Sequence, residues 1–425
     1  MGVKEQAQAA RRASYRLAVA ATTIKDRALA RSAEALEANF ERILKENLRD
    51  QEQARRTGLK EALLKRLVLD EKKIAQMVES VREVIRLPDP VGRRLLEREL
   101  DRDLLLTQVT VPIGVIGVIF ESRPDALVQI AALGLKSGNA VVLKGGSEAQ
   151  ASNRILFDLI REAVQSVDPL FQDALQLVES REEVRELLEL DGLVDLIIPR
   201  GSGALVKSIQ ASTRIPVLGH SEGVCHLYVD RQADLSMAVE LAFDAKCQYP
   251  AVCNAIETLL VHREVAQEYL PRLAERLEGV ELRGDPRTRA IIPAREADEE
   301  DWRAEYNDLI LAIRVVDSLE QAIEHVNTYG SHHTDAIVSR DETAARRFQA
   351  EVDSSSVMWN CSTRFADGYR YGLGAEVGIS TGKIHARGPV GLEGLTSSKY
   401  LLEGRGQVVA DYVSGRRRFT HRDRR

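Results

Sequence analysis

Cys253 lies in Tyr249-Pro250-Ala251-Val252-Cys253-Asn254-Ala255-Ile256-Glu257-Thr258-Leu259-Leu260-Val261, between a Tyr-Pro corner and an apolar run that reads as a strand. A thiol on a loop leading into a rigid strand can be held still and aimed. Cysteine is the most nucleophilic common side chain at neutral pH, and a carboxamide beside it can donate to an oxyanion. Cys253 and Asn254 therefore read as an acyl-transfer centre. Taken alone, the same residues also fit a small buried hydrophobe beside an ordinary turn.

Two other stretches have residue types suited to anions: Lys144-Gly145-Gly146-Ser147-Glu148 and Pro199-Arg200-Gly201-Ser202-Gly203. Each follows a predicted strand. Glycines let backbone N–H groups approach a phosphate, the next helix terminus adds positive potential, and Lys144 or Arg200 supplies a full charge. Neither is a specific motif. The second lacks the third glycine of G-x-G-x-x-G, and no G-x-x-x-x-G-K-[ST] occurs, which disfavours an ATP-hydrolysing P-loop enzyme. Ordinary turns could account for either loop, but both in one domain point to a dinucleotide.

The elements that must position these residues follow from hydrophobic spacing. Residues 1 to about 105 are rich in Ala, Leu, Glu, Arg and Lys at helical spacing and read as a helical lead-in. Strand and helix then alternate: strands over 114–120, 140–143, 175–178 and 193–198, helices over 124–135, 149–164, 181–190 and 204–210, and a short strand near Val217. A second α/β unit opens at Leu227. It carries a helix over 233–247, strands over 257–261 and 309–315, and helices over 266–277 and 319–327. Near-continuous apolar strands between amphipathic helices indicate a parallel sheet covered on both faces. Such sheets bind ligands at the carboxyl ends of their strands. The glycine-rich segment 365–379 reads as a binding or gating loop, or else a surface connection.

Composition narrows the function classes. The chain has 425 residues, 44% hydrophobic, with a formal net charge of -6. That balance gives no general attraction to nucleic acid or anionic membrane, and the basic run 416–425 reads as a solvated tail. Four cysteines with no C-x-x-C pair fit a reducing cytoplasm, and no ligand spacing points to a metal. The longest apolar run of the first half, 111–120, is interrupted and too short to span a bilayer. The start has neither a secretory core nor a myristoylation pattern, so the chain is expected to be mature and cytoplasmic.

Several longer motifs carry a resemblance. They are Gly117-Val118-Ile119-Phe120-Glu121-Ser122-Arg123-Pro124-Asp125, Pro216-Val217-Leu218-Gly219-His220-Ser221-Glu222-Gly223-Val224-Cys225-His226, and Val252-Cys253-Asn254-Ala255 before Glu257-Thr258. Others are the stretch from Val316 through His325 to Ile337, and Ser362-Thr363-Arg364-Phe365-Ala366-Asp367-Gly368 with His385-Ala386-Arg387-Gly388-Pro389-Val390-Gly391. From the helical start to about Tyr412 the chain resembles the gamma-glutamyl phosphate reductase family, also called glutamate-5-semialdehyde dehydrogenases, of the aldehyde dehydrogenase superfamily.

The resemblance implies an α/β, aldehyde-dehydrogenase-like fold: two doubly wound parallel-sheet domains plus a small β oligomerisation extension. The expected division is an NADP-binding domain over 1–226, interrupted near 95–111, and a catalytic domain over 227–395. An oligomerisation hairpin is expected from 95–111 with 396–413, followed by a basic tail over 414–425. The implied reaction is NADPH-dependent reduction of L-glutamyl 5-phosphate to glutamate 5-semialdehyde with release of phosphate, the second step of proline synthesis from glutamate. Cys253 is the implied nucleophile, Asn254 and backbone N–H groups steady the oxyanion, and NADPH reduces the thioester.

The implied NADP(H) contacts are Lys144, Gly145, Gly146, Ser147, Glu148, Arg200, Gly201, Ser202, Gly203 and Glu305. Arg123, His220, Ser362, Thr363 and Arg364 are the candidates for the substrate's phosphate and carboxylate, because arginine binds such anions bidentately. His226 could touch phosphate, but a histidine in a strand-like run also suits the core. Where ordinary aldehyde dehydrogenases place the glutamate that activates hydrolytic water, this chain reads Leu218-Gly219-His220-Ser221, which suits an enzyme that must keep water off its thioester. Expected partners are a second copy of the chain and a glutamate 5-kinase that supplies the unstable acyl phosphate, with no nucleic acid and no membrane. The competing readings are an aldehyde-oxidising or other acyl-reducing relative, separable by phosphate dependence, and a silent dinucleotide-binding protein, separable by alkylation of Cys253.

Overall fold

The structure is a computed structural model that describes residues 1–59, 61–121 and 123–424; Ser122 of the 117–125 motif and Arg425 of the basic tail lie outside the described residues. The chain divides into two compact units, one of Met1–Leu218, Leu373–Gly378 and Val390–Arg425, the other of Gly219–Gly372 and Ile379–Pro389.

The first unit opens with five helices, Val3–Leu17, Thr22–Ala38, Phe40–Arg56, Glu61–Leu67 and Glu71–Arg86. The last shows why the segment is helical: Ile74, Met77, Val78, Val81 and Val84 recur at three- and four-residue spacing and are buried, and the Asp70 carboxylate accepts from Lys73 N at its start. Helix stops here, ahead of the hairpin expected from about 95, because Pro88 and Pro90 disfavour helical dihedrals in the residues before them. A four-stranded parallel sheet follows, in the spatial order Leu175–Leu177, Ala140–Lys144, Val115–Phe120, Leu196–Arg200. Val217 contributes only an isolated bridge to Ile197.

The same unit holds an antiparallel sheet in the order Thr396–Glu403, Leu104–Pro112, Arg94–Asp101, Arg422–Asp423. Two expectations fail here. Residues 409–413, read as strand, form the short helix Val409–Val413; Tyr412 stacks on Phe419 with ring centroids 4.2 Å apart and donates its hydroxyl to Asp101 at 3.0 Å. Nor is the basic tail simply solvated. Arg98 pairs with Asp423 and Arg424 with Glu99, Arg417 lies 3.1 Å from Asp101, and Thr420 N donates to Leu100 O at 2.8 Å. Opposite charges on the hairpin and the tail draw the tail onto the strand's open edge.

The second unit is built on a seven-stranded sheet, in the order Arg295–Glu296, Glu281–Gly284, Ile310–Val316, Ile256–His262, Cys225–Val229, Thr334–Val338, Ser356–Trp359, with every pairing parallel. Three adjacent inner strands, Ile256–His262, Cys225–Val229 and Thr334–Val338, are buried along their whole length. Alternate residues pack on opposite faces. Leu227, Val229, Leu259, Val261, Ala336 and Val338 join a cluster with Ala242, Tyr269 and Leu270, whereas Tyr228, Leu260 and Ile337 pack with Ile323 and Phe348. That two-sided burial is the reason these strands read as continuous apolar runs.

Candidate active site

In the second unit the chemistry gathers at the amino ends of the strands, contrary to the general expectation for parallel sheets. Cys253 immediately precedes Ile256–His262, His220 and Gly223 precede Cys225–Val229, His333 precedes Thr334–Val338, and Glu305 precedes Ile310–Val316. Strands that are neighbours in the sheet thereby bring together residues remote in sequence. Ligand atoms of His220, Cys253 and His333 all lie within 4.8 Å of one another.

The backbone at Cys253 is clamped from several directions. Gly223 lies so close that a Cβ there would stand 2.1 Å from Cys253 O and 2.5 Å from its Cα, so only glycine fits. Gly223 N in turn donates to Glu305 Oε1 at 3.0 Å. The Cys225 thiol donates to Cys253 O at 3.1 Å, and burial pushes that second thiol well above its usual range, which suits a bracing role. The Cys253 side chain is half-buried, open enough to meet a substrate.

The two histidines differ. His220 Nδ1 lies 2.9 Å from the Ile379 carbonyl, to which it donates. His333 is fully buried, packs edge-on to His220 at 4.9 Å between centroids, and bonds Thr334 Oγ1 through Nδ1 at 2.9 Å. Burial, reinforced by His220, holds His333 well below the ordinary imidazole range, so it is neutral. His226 is a core residue: it is buried with Asp335, its Nδ1 2.9 Å from the carboxylate.

Three expected residues lie beside Cys253 with their polar atoms engaged by the protein itself. Asn254 is buried and its Nδ2 donates one N–H to Ala366 O at 2.9 Å, which draws the amide toward the 362–366 turn. Thr363 is fully buried and its hydroxyl donates to Asn254 O at 2.7 Å. Ser362 is buried and its Oγ accepts from Arg364 N at 3.3 Å, starting the turn Thr363–Phe365. These contacts lash the nucleophile loop to the 362–366 turn, which Thr363 and Ser362 help to hold in place.

Arg364 is the cation of the group. Its Nε donates to Gln248 Oε1 at 3.0 Å, burial lowers its affinity for its proton, and Cys253 is among the groups whose negative charge would raise it again. A guanidinium that senses the Cys253 sulfur also stabilises its thiolate. Sequence reasoning missed Gln248 and gave His333 no role at this site. The pair His332-His333 directly before an apolar run was the available signal.

The expected cofactor loops belong to the first unit, at the carboxyl ends of its strands. At Gly145 a Cβ would stand 2.0 Å from Asn153 Nδ2 and 3.0 Å from Phe120, and Asn153 is buried with its Oδ1 unpartnered among the described residues. Gly145, Gly146, Ser147 and Asn153 line one small pocket with Val178 and Glu179. Lys144 is lowered from its ordinary value by burial, with Glu148, Arg181 and Glu121 as its charged neighbours, and the Glu148 carboxylate folds over Gly146.

In the second loop Ser202 caps the helix Gly203–Ser212, and Ser202 N donates to the Glu121 carboxylate at 2.7 Å. The chain's own anion stands there where a phosphate would bind. Arg200 donates to Glu376 O at 3.2 Å. The residues present thus fit a dinucleotide: a glycine cradle, an unpartnered buried acceptor, and a helix start that already holds an anion. Arg123, in this same unit, is half-exposed and ion-paired with Asp125 at 3.0 Å.

Comparison with known proteins shows the family. The profile of the aldehyde dehydrogenase family matches residues 1–302. A gamma-glutamyl phosphate reductase of Pelotomaculum thermopropionicum is 55% identical over 424 residues, 99% of this chain and 98% of the relative. The crystal structure of the gamma-glutamyl phosphate reductase of Thermotoga maritima superposes with a TM-score of 0.93 at 41% identity, covering 96% of this chain and 100% of that one. At the level of fold alone, a glyceraldehyde-3-phosphate dehydrogenase of Methanocaldococcus jannaschii complexed with NADP gives a TM-score of 0.67 at 16% identity, covering 95% of this chain and 94% of that one. The chain belongs to the aldehyde dehydrogenase family, and within it to the gamma-glutamyl phosphate reductases.

Proposed function

We propose that this protein reduces L-glutamyl 5-phosphate to L-glutamate 5-semialdehyde with release of phosphate, using NADPH, as the second step of proline synthesis. The observation that carries the reading is Cys253 itself: a half-exposed thiol, backbone-clamped, beside His220 and a guanidinium, in a chain 55% identical to a named reductase of this substrate.

His220, oriented by Ile379 O, takes the thiol proton on Nε2, and Arg364 stabilises the thiolate. Sulfur attacks the acyl carbon and phosphate leaves, giving a thioester on Cys253. The oxyanion is held by backbone N–H groups of the Cys253 turn, because the Asn254 amide is drawn toward Ala366 O. Bound NADPH supplies the hydride that takes the thioester to the aldehyde level. Thiolate expulsion then frees the semialdehyde and restores Cys253.

For the cofactor, Lys144 and the loop 145–148 receive the adenosine side, with Arg181 near Lys144 as a second positive charge that favours a 2′-phosphate. The helix start at 201–203, with Arg200 beside it, receives the pyrophosphate in place of Glu121. Glu305, whose Oε1 accepts from Gly223 N, offers Oε2 to a ribose hydroxyl. Arg123 serves as an anion contact for the substrate. The antiparallel extension pairs subunits, since Tyr400, Leu402 and Val409 are exposed. A glutamate 5-kinase supplies the acyl phosphate, and the setting is the cytoplasm; among the described residues no helix is long and apolar enough to cross a membrane.

The test is the reverse reaction, NADP+ reduction with pyrroline-5-carboxylate, which is in equilibrium with the semialdehyde. Turnover that requires inorganic phosphate supports the reading, and turnover indifferent to phosphate overturns it in favour of an aldehyde-oxidising enzyme.

A further inference from the structure

His220, Cys253 and His333 form a two-nitrogen, one-sulfur set that no sequence spacing announces, because each residue leads into a different strand of the sheet. Their ligand atoms lie within 4.8 Å of one another. Zinc bonds of about 2.0 Å to nitrogen and 2.3 Å to sulfur set tetrahedral ligands roughly 3.5 Å apart, so a small rotamer adjustment would close the set around an ion.

The outer contacts are those of a metal site. In His220 the Nδ1 faces the Ile379 carbonyl at 2.9 Å, and in His333 the Nδ1 faces Thr334 Oγ1 at 2.9 Å, which leaves Nε2 as the ligating nitrogen of both rings. A second, independent observation points the same way: His333 Nε2 is buried and has no hydrogen-bond partner among the described residues. Buried polar atoms are normally paired, and with Nδ1 donating to the Thr334 hydroxyl this Nε2 would carry a lone pair that a cation satisfies. The sequence reading expected no metal because it could not see these residues meet.

We propose that a borderline-soft divalent cation, typified by Zn2+, binds His220 Nε2, Cys253 Sγ and His333 Nε2. The thiol loses its proton to solvent as the S–metal bond forms, and neither sulfur nor metal changes oxidation state. Three protein ligands leave a fourth position for water. The bound ion occupies the nucleophile and shuts it off reversibly until a chelator removes it. That last consequence rests on the catalytic reading of Cys253; the binding does not.

The test reads binding without activity. The reduced, metal-free full-length protein is titrated anaerobically with Co2+ and followed by its absorption, then with Zn2+ while iodoacetamide labelling of Cys253 is mapped by peptide mass. The proposal expects one ion per chain, a thiolate-to-Co2+ charge-transfer band lost in Cys253→Ser, and protection of Cys253 by Zn2+. It also expects an affinity lowered about tenfold or more in His220→Gln and His333→Gln, with circular dichroism reporting whether each variant folds. His220→Gln keeps the proposal testable should the fully buried His333 prove intolerant of change. Alkylation unchanged by micromolar Zn2+, or a band that survives in Cys253→Ser because another thiol provides it, would overturn it. Because no turnover is measured, failure of the glutamyl phosphate reading would leave this result intact.

Discussion

The two parallel sheets use opposite ends. In the first unit the proposed cofactor loops, 144–148 and 201–203, follow their strands, so helix starts and backbone N–H groups are at hand, as the Glu121 carboxylate on Ser202 N shows. In the second unit Cys253, His220, His333 and Glu305 all precede theirs, just after chain that leaves helix carboxyl ends such as Cys247 and Tyr329. Helix carboxyl ends carry negative potential, which opposes a thiolate. The same architecture therefore yields a phosphate cradle for nothing more than glycines at one end, while at the other it must import positive charge. On the proposed reading Arg364 supplies that charge, and the contacts of Asn254, Thr363 and Ser362 fix the turn that carries it.

The largest expected effect separates the two ends outright. Cys253→Ala should lower turnover by on the order of 10⁴-fold while NADPH binding, followed by cofactor fluorescence, stays within experimental error of wild type. Comparable loss of both would mean that the ends are not independent.

Gly223→Ala comes next. The new Cβ would collide with the Cys253 backbone at 2.1 Å, and a displaced nucleophile should lose roughly 10²-fold in kcat with NADPH affinity unchanged. An active Gly223→Ala enzyme would show that the clamp is dispensable.

Arg364→Gln addresses the imported charge. Removing a cation from a thiolate raises the thiol's pKa, so the pH profile of Cys253 alkylation should move up by about one unit, about tenfold slower near neutrality. An unmoved profile would assign thiolate stabilisation elsewhere. The smallest effect belongs to the first unit: Gly145→Ala should weaken NADPH binding by about fivefold, through contact with the buried Asn153, and leave the alkylation profile untouched.

Much of this was legible in sequence for reasons that can be named. The inner strands are covered on both faces and so appear as unbroken apolar runs, and Cys253 stood out because a Tyr-Pro corner and such a run flank it. The orientation of Asn254 was not legible because adjacency in a loop does not fix which way a side chain turns; the Ala366 carbonyl, far along the chain, engages its amide. The Val409–Val413 helix was expected as strand because the resemblance implied a hairpin there, and the stacking of Tyr412 on Phe419 that accompanies the helix has no local sequence signal. His333 escaped notice because parallel strand order, which no local pattern reveals, sets it beside Cys253.

The central claim is that Cys253 carries the acyl group and phosphate removes it. Mixing enzyme, NADP+ and semialdehyde without phosphate should give a burst of one NADPH per active chain and then stop, with the glutamyl thioester on the peptide containing Cys253. Adding phosphate should restart turnover, and Cys253→Ala should show neither phase. Steady NADPH formation without phosphate, or a burst that persists in Cys253→Ala, would contradict the account.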